Sequence, residues 1–184
     1  MLLNGPPSTG KTTLAQALQE RLETPYFHLS LDQFRAGYAD RHWRTDDGTL
    51  FQSTLTGYLA SLRALVGLGH RVIAEAVMTP ERLGTYLDVF EAVPVLLIGV
   101  HCPVEIAQQR ERSRLDRRRP LDLAVPAYDL VHSHGGYDVD VDTSRCTPAE
   151  AASAVAQAIA EWPAPGAFEQ LGQRRRQQGL HFGR

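Results

Sequence analysis

The feature that most constrains this chain is Gly5-Pro6-Pro7-Ser8-Thr9-Gly10-Lys11-Thr12, which meets the pattern G-x-x-x-x-G-K-[ST] at every constrained position. Glycine at 5 and at 10 lets the backbone curl so that successive N–H groups form an anion nest, and the helix that follows aims its positive end at the same point. Lys11 is then placed to reach the β- and γ-phosphates of a nucleotide, and the Thr12 hydroxyl to hold Mg²⁺. The flanks agree. Leu2-Leu3 reads as the end of a strand, and Leu14, Ala15, Ala17, Leu18 and Leu22 recur at helical period. Gly5 through Thr13 is the expected seat of ATP. A glycine turn ahead of an ordinary helix is the competing reading, and it leaves the lysine and threonine positions unexplained.

Composition sets the bounds. With 184 residues, 43% of them hydrophobic, the chain suits one well-buried core. A net charge of -2 gives no overall attraction to nucleic acid, so a nucleic-acid partner is not expected. Lys11 is the only lysine, and the other strongly basic side chains are arginines. Cys102 and Cys146 are too few for a disulfide framework, and no signal peptide or long apolar span is visible. The expectation is a soluble cytoplasmic protein with no membrane partner, its oligomeric state open. Only Met1 to Asn4 precede the phosphate loop, less than the usual strand of about five or six residues, which raises the expectation of a few residues upstream.

Tyr26-Phe27-His28-Leu29 suits a buried second strand that delivers Ser30 and Asp32 at its carboxyl end. Ligands of open α/β sheets gather outside those ends, so Asp32 is expected beside the phosphate loop as the base that accepts a hydroxyl proton. The alternative is that Asp32 caps the following helix, with Ser30 as the rival cap. Arg35 to Leu50 is polar, broken by glycine and carries Tyr38, Arg41, His42, Trp43 and Arg44, as a loop or irregular helix over an acceptor pocket does. Phe34, Arg35 and Trp43, with Asp32 and Glu75, are the expected substrate contacts. A helix follows over Phe51 to Leu68, ending at Gly67 or Gly69. Arg71 to Val77 is a strand with one acid, Glu75, which either orients Mg²⁺ with Thr12 and touches substrate or is a paired structural carboxylate.

Pro80 to Glu91 reads as a helix capped at Thr79, and Val93 to Val100 as a strand buried on both faces near the sheet centre. Pro103 to Arg114 starts a helix in which Arg110, Arg112, Arg114, Arg117, Arg118 and Arg119 crowd together until Pro120. Residues 110, 114, 117 and 118 share a helical face, and like charges on a face are unfavourable unless an anion covers them, so a phosphate-closing lid is expected over about 110–122. Arg110 and Arg114 are the nucleotide contacts in that reading, and Arg114 and Arg117 the catalytic arginines. A solvated basic helix is the plain alternative, and an RNA patch lacks interleaved aromatics. Asp138 to Asp142 alternates as an edge strand does, Thr143 to Thr147 is a loop for adenine, and Thr147-Pro148-Ala149-Glu150 is a capping box opening a helix to about Trp162. Beyond Pro163 the tail, with Arg174-Arg175-Arg176, reads as a loosely attached extension. His132 and His134 near Asp138 fit no familiar zinc spacing.

Together with the phosphate loop, several segments carry a family resemblance: Leu31-Asp32, Arg71-Val72-Ile73 leading to an acid, Gly99-Val100-His101-Cys102, Arg110-Glu111 with Arg114, Asp116 and Arg117, Val131-His132, and Tyr137-Asp138-Val139-Asp140-Val141-Asp142-Thr143. Over most of residues 1–162 the chain resembles the chloramphenicol phosphotransferase-like P-loop kinases. The resemblance implies transfer of the ATP γ-phosphate, with Mg²⁺, to a hydroxyl of a small molecule, with Asp32 matching the catalytic base and Arg117 the lid arginine. The resemblance makes chloramphenicol or a similar antibiotic the candidate acceptor, although Arg35 to Thr49 departs from the family pattern and leaves its identity open. The expected fold is an α/β three-layer sandwich of the P-loop kinase kind, with a five-stranded parallel sheet, an arginine-rich lid, one domain over 1–162 and a basic extension over 163–184. A kinase of nucleosides, nucleotides, sugars or RNA ends, and an ATP-binding module that phosphorylates nothing, remain as alternatives.

Overall fold

Short apolar runs become the strands β1 (Leu2–Asn4), β2 (Phe27–Leu29), β3 (Val72–Ala76), β4 (Leu97–His101) and β5 (Val139–Asp142). They pair in parallel as one five-stranded sheet in the order β2-β3-β1-β4-β5. Parallel neighbours need crossovers, and the chain supplies α1 (Lys11–Arg21), α2 (Leu31–Arg35), α3 (Asp40–Arg44), α4 (Thr49–Gly67), α5 (Pro80–Val89), α6 (Val104–Ser113) and α7 (Pro148–Ala160), followed by α8 (Ala167–Gln177). The computed structural model describes residues 1–113, 128, 130–162, 165–177 and 179. Most of the expected lid, with Arg114 and Arg117, lies outside them.

The period-2 pleat sorts each strand between two cores. Leu2, Val72, Ala74, Ala76 and Leu97 pack with Leu55, Tyr58, Leu59 and Leu62 of α4, Tyr86 and Leu87 of α5, and Phe168 and Leu171 of α8. Leu3, Ile73, Ile98, Val100 and Val141 pack with Leu14, Ala15 and Leu18 of α1 and with Ala151, Ala152 and Val155 of α7. The result is the expected three-layer sandwich. The same parity sends Glu75, two residues after Ile73, to the α1 side of the sheet.

Several expectations are met closely. Leu97, Ile98 and Val100 of β4 are 0% exposed, β5 is an edge, and Thr147 forms its capping box with Glu150. Others differ. β2 is the opposite edge and not a buried strand, with Phe27 47% exposed, because a strand with one neighbour keeps part of its surface in water. The polar stretch after Arg35, expected as a loop or an irregular helix, takes the second form, with the short α3 ahead of α4, which begins at Thr49.

The tail also departs from the sequence reading. Ala167–Gln177 is a helix whose Phe168 and Leu171 are 3% and 6% exposed, with the Phe168 ring edge-on to Phe90 at 6.3 Å between centroids. Asp138 fixes its start, accepting from Ala167 N at 2.7 Å and from Leu97 N at 2.7 Å. Arg175 fixes its end, donating to Gly84 O at 3.0 Å and to Asp88. Two large apolar side chains and two polar anchors outweigh an otherwise hydrophilic composition. Among the described residues no helix is long and apolar enough to cross a membrane.

Candidate active site

The phosphate loop leaves β1 directly after Asn4. A Cβ on Gly5 would lie 2.3 Å from the Val100 carbonyl oxygen, so the loop passes β4 only with glycine there. Gly10 caps α1 at φ 92°, and Ser8 also takes a left-handed conformation at φ 62°, the alternation that turns backbone N–H groups into a nest. Lys11 lies inside this curl, 8% exposed, with Nζ donating to Gly5 O at 2.8 Å and Pro6 O at 2.7 Å. The Thr9 hydroxyl donates to Pro6 O at 2.9 Å and is structural, while Thr13 sits exposed on α1.

Arg110 does not line the cavity described below. It donates to Thr143 Oγ1 at 2.9 Å and Thr143 O at 2.8 Å, and Thr143 Oγ1 donates in turn to Thr9 O at 2.7 Å. Arg110, expected as a nucleotide contact, here links α6 to the turn after β5 and, through Thr143, to the phosphate loop. The Ser8 hydroxyl donates to Glu111 on the same helix.

At the end of β2 the capping question is resolved. Ser30 caps α2, its hydroxyl accepting from Gln33 N while Gln33 Oε1 accepts from Ser30 N at 2.8 Å. Asp32 is therefore not the cap. It lines a cavity of about 470 Å³ together with Pro7, Ser8, Gly10, Lys11, Thr12 and Glu75, closed on another side by Arg35, Trp43, Phe51, Arg82 and Tyr86. Phe34 does not reach the cavity: its ring meets Tyr58 edge-on at 5.6 Å and packs against the core. Arg35 and Trp43 form one unit, the guanidinium 4.7 Å over the indole and Trp43 Nε1 donating to Arg35 O at 3.1 Å.

Glu75 is both paired and in the cavity. His28 Nε2 lies 2.8 Å from its Oε1. Burial alone would push the Glu75 carboxyl up, but the His28 hydrogen bond, the Lys11 charge and a hydrogen bond from Thr12 outweigh it, so its pKa is below the usual carboxylate range. Thr12 and Glu75 thus bring a hydroxyl and an ionised carboxylate together, a hard-oxygen pair of the kind Mg²⁺ takes. Among the described residues no group of three or more His, Cys, Asp or Glu is arranged to hold a metal by itself.

Sequence reasoning missed the residue under the loop. Asn4 is 0% exposed, and its Nδ2 lies within hydrogen-bond distance of Val131 O, His134 Nε2 and Tyr137 Oη, at 3.0, 3.1 and 2.8 Å. Its Oδ1 accepts from Met78 N at 2.8 Å. His132 joins the group, with Nδ1 2.7 Å from Tyr137 Oη and its ring stacked on His101 at 4.1 Å. The two histidines weighed as metal ligands belong to this network. The one local signal was an asparagine closing an otherwise apolar strand.

A more apolar cavity of about 410 Å³ opens at the amino ends of the strands, lined by Met1, Tyr26, Leu62, Val66 and Trp162 among others. Ligands of open α/β sheets bind at the carboxyl ends, and the phosphate loop lies there.

The family described as "Chloramphenicol phosphotransferase-like protein" matches residues 1–160. A protein of Mycobacterium tuberculosis strain H37Rv, named as an O-phosphotransferase, is 30% identical over 199 residues, spanning 95% of this chain and 88% of its own. Among solved structures, a sugar kinase from Janibacter sp. HTCC2649 superposes with a TM-score of 0.64 at 20% identity, over 89% of this chain and 95% of its own. Shikimate kinase from Acinetobacter baumannii, in complex with shikimate, gives a TM-score of 0.62 at 18% identity, over 87% of this chain and 92% of its own. At those identities the two structures establish a shared P-loop kinase fold.

Proposed function

The chain belongs to the chloramphenicol phosphotransferase-like family, and from that premise we propose that it moves the γ-phosphate of ATP to a hydroxyl of a small molecule. The observation that carries this reading is one continuous cavity joining Gly10, Lys11 and Thr12 of the phosphate loop to Asp32 and to an aromatic wall. In the reaction, the Asp32 carboxylate takes the proton of the acceptor hydroxyl, whose oxygen forms the new bond to the γ-phosphorus as the bond to ADP breaks. Lys11 exchanges its carbonyl partners for phosphate oxygens, and the nest at the start of α1 holds the rest of the charge. Mg²⁺, held through Thr12 with Glu75, would supply charge neutralisation on the phosphates. Arg114 and Arg117 are the arginines we assign to the transferred group, and Arg110 to bracing the adenine side.

The test is an ADP-release assay over an acceptor panel that includes chloramphenicol, other hydroxylated antibiotics, nucleosides and sugars. Lys11→Ala is expected to lose nucleotide-dependent turnover with its circular dichroism unchanged. Asp32→Asn is expected to bind ATP normally and to lose about 10²-fold or more in transfer. Wild-type transfer by Asp32→Asn would overturn its role as the base. A module that only binds ATP would release no ADP with any acceptor.

A further inference from the structure

We propose that the acceptor carries an anionic group, a carboxylate or a phosphate, and that Arg82 on the α5 wall of the cavity is the residue that selects it. This rests on reading the cavity as the phosphotransferase site, and it adds the chemical class of the acceptor.

The charged groups lining the cavity divide by what already occupies them. Lys11 holds the phosphate loop and faces the incoming nucleotide. Glu75 is bonded to His28 and Thr12. Asp46 spends both carboxylate oxygens on the start of α4, Oδ1 accepting from Leu50 N at 2.9 Å and Oδ2 from Phe51 N at 3.0 Å. Asp32 is assigned to the hydroxyl proton, and Arg35, stacked on Trp43, is engaged in a further interaction.

Arg82 is different. Its guanidinium lies 4.8 Å over the Phe51 ring, and among the described residues it makes no hydrogen bond or ion pair. A ring face holds a guanidinium in place without consuming its in-plane N–H donors, and that fork matches a carboxylate or phosphate two bonds at a time. Taking such a group partly out of water costs free energy until an acceptor arrives. Arg82 also stands in the first turn of α5, whose N-cap Thr79 lines the cavity, so the helix dipole adds to the same positive potential. Glu81, the neighbouring acid, feels the Arg82 charge, but it is exposed, hydrogen-bonds Thr79 and is not among the lining residues. Leu55, Phe51 and Tyr86 complete this wall, so the body that carries hydroxyl and anion is compact and apolar or ring-shaped.

The experiment uses the full chain with Mg²⁺ and a non-hydrolysable ATP analogue. Calorimetry compares matched probes: mandelate against mandelamide for a carboxylate, and pyridoxine phosphate against pyridoxine for a phosphate. At least one anion is expected to bind about 10-fold or more tightly than its neutral partner, and the stronger pair names which anion is meant. Arg82→Gln should weaken that anion about 10- to 100-fold while leaving analogue affinity unchanged, which also certifies its fold, and Arg82→Lys should keep part of the preference. Equal binding within both pairs, no binding of either anion, or a preference that survives Arg82→Gln overturns the proposal. The two readings fail separately. ADP release with neutral acceptors, indifferent to Arg82→Gln, leaves the phosphotransferase standing and sinks the anion site, whereas Arg82-dependent anion binding with no ADP release from any acceptor does the reverse.

Discussion

His132 shows how one side chain registers its surroundings. Its pKa is lowered from 6.5 to about 4, by burial first and then by His101, His134 and Lys11, against the opposing pull of Asp140. Below pH 6.5 the unfolded chain takes up a proton that the fold refuses, so this histidine makes stability fall as pH drops from about 6.5 towards 4, and contributes nothing to pH dependence above that window. Replacing it by asparagine, His132→Asn, is expected to flatten this part of the stability profile in urea melts taken at stepped pH, even if absolute stability drops. An unchanged slope would place the acid sensitivity elsewhere. Residues of this kind were the least legible in the sequence. Asn4, its partners at 131, 134 and 137, and the pairing of His28 with Glu75 join positions far apart in the chain, and no local pattern encodes such a meeting. The phosphate loop was legible because its glycines, lysine and threonine stand within eight consecutive residues.

At the scale of elements, period and caps carried most of the reading. α7 opens at the Thr147 capping box, and β4 forms in the expected apolar run although it starts at Leu97 and not at Val93; alternation marked β5 as an edge, but three-residue β2 is too short to show any, and it was misplaced for that reason. α8 escaped because its sequence is mostly glutamine and arginine, while its attachment depends on two side chains and on Asp138 reaching across from another element. Phe168→Ala is therefore expected to cost about 3–5 kcal/mol, near the values for other buried phenylalanines, and to raise proteolysis after residue 162. A urea midpoint within error of wild type would show that α8 adds little to the fold.

For the molecule as a whole, the cavity lies where α1, β3 and α5 converge, so any nucleotide that fills it ties both layers together. At a concentration of about 100 times its Kd, ATP with Mg²⁺ should add about 2.7 kcal/mol to stability, readable as a rise of roughly 5–10 °C in Tm, and Lys11→Ala should abolish the rise. No shift with wild-type protein would argue that the phosphate loop does not grip a triphosphate.

Ser30 carries the duty of starting α2, and that separation has a bearing on how such a chain changes its diet. The donor apparatus is drawn from the first turn after β1, while the surfaces that meet the second reactant come from segments near 35–51 and 79–86. Because Asp32 is excused from capping its own helix, it can face the cavity between the loop that grips phosphate and the two segments that shape the rest of the pocket. Changes at the cavity-facing positions of those segments, with residues 5–13 untouched, are then expected to alter the choice of acceptor before they alter the grip on ATP.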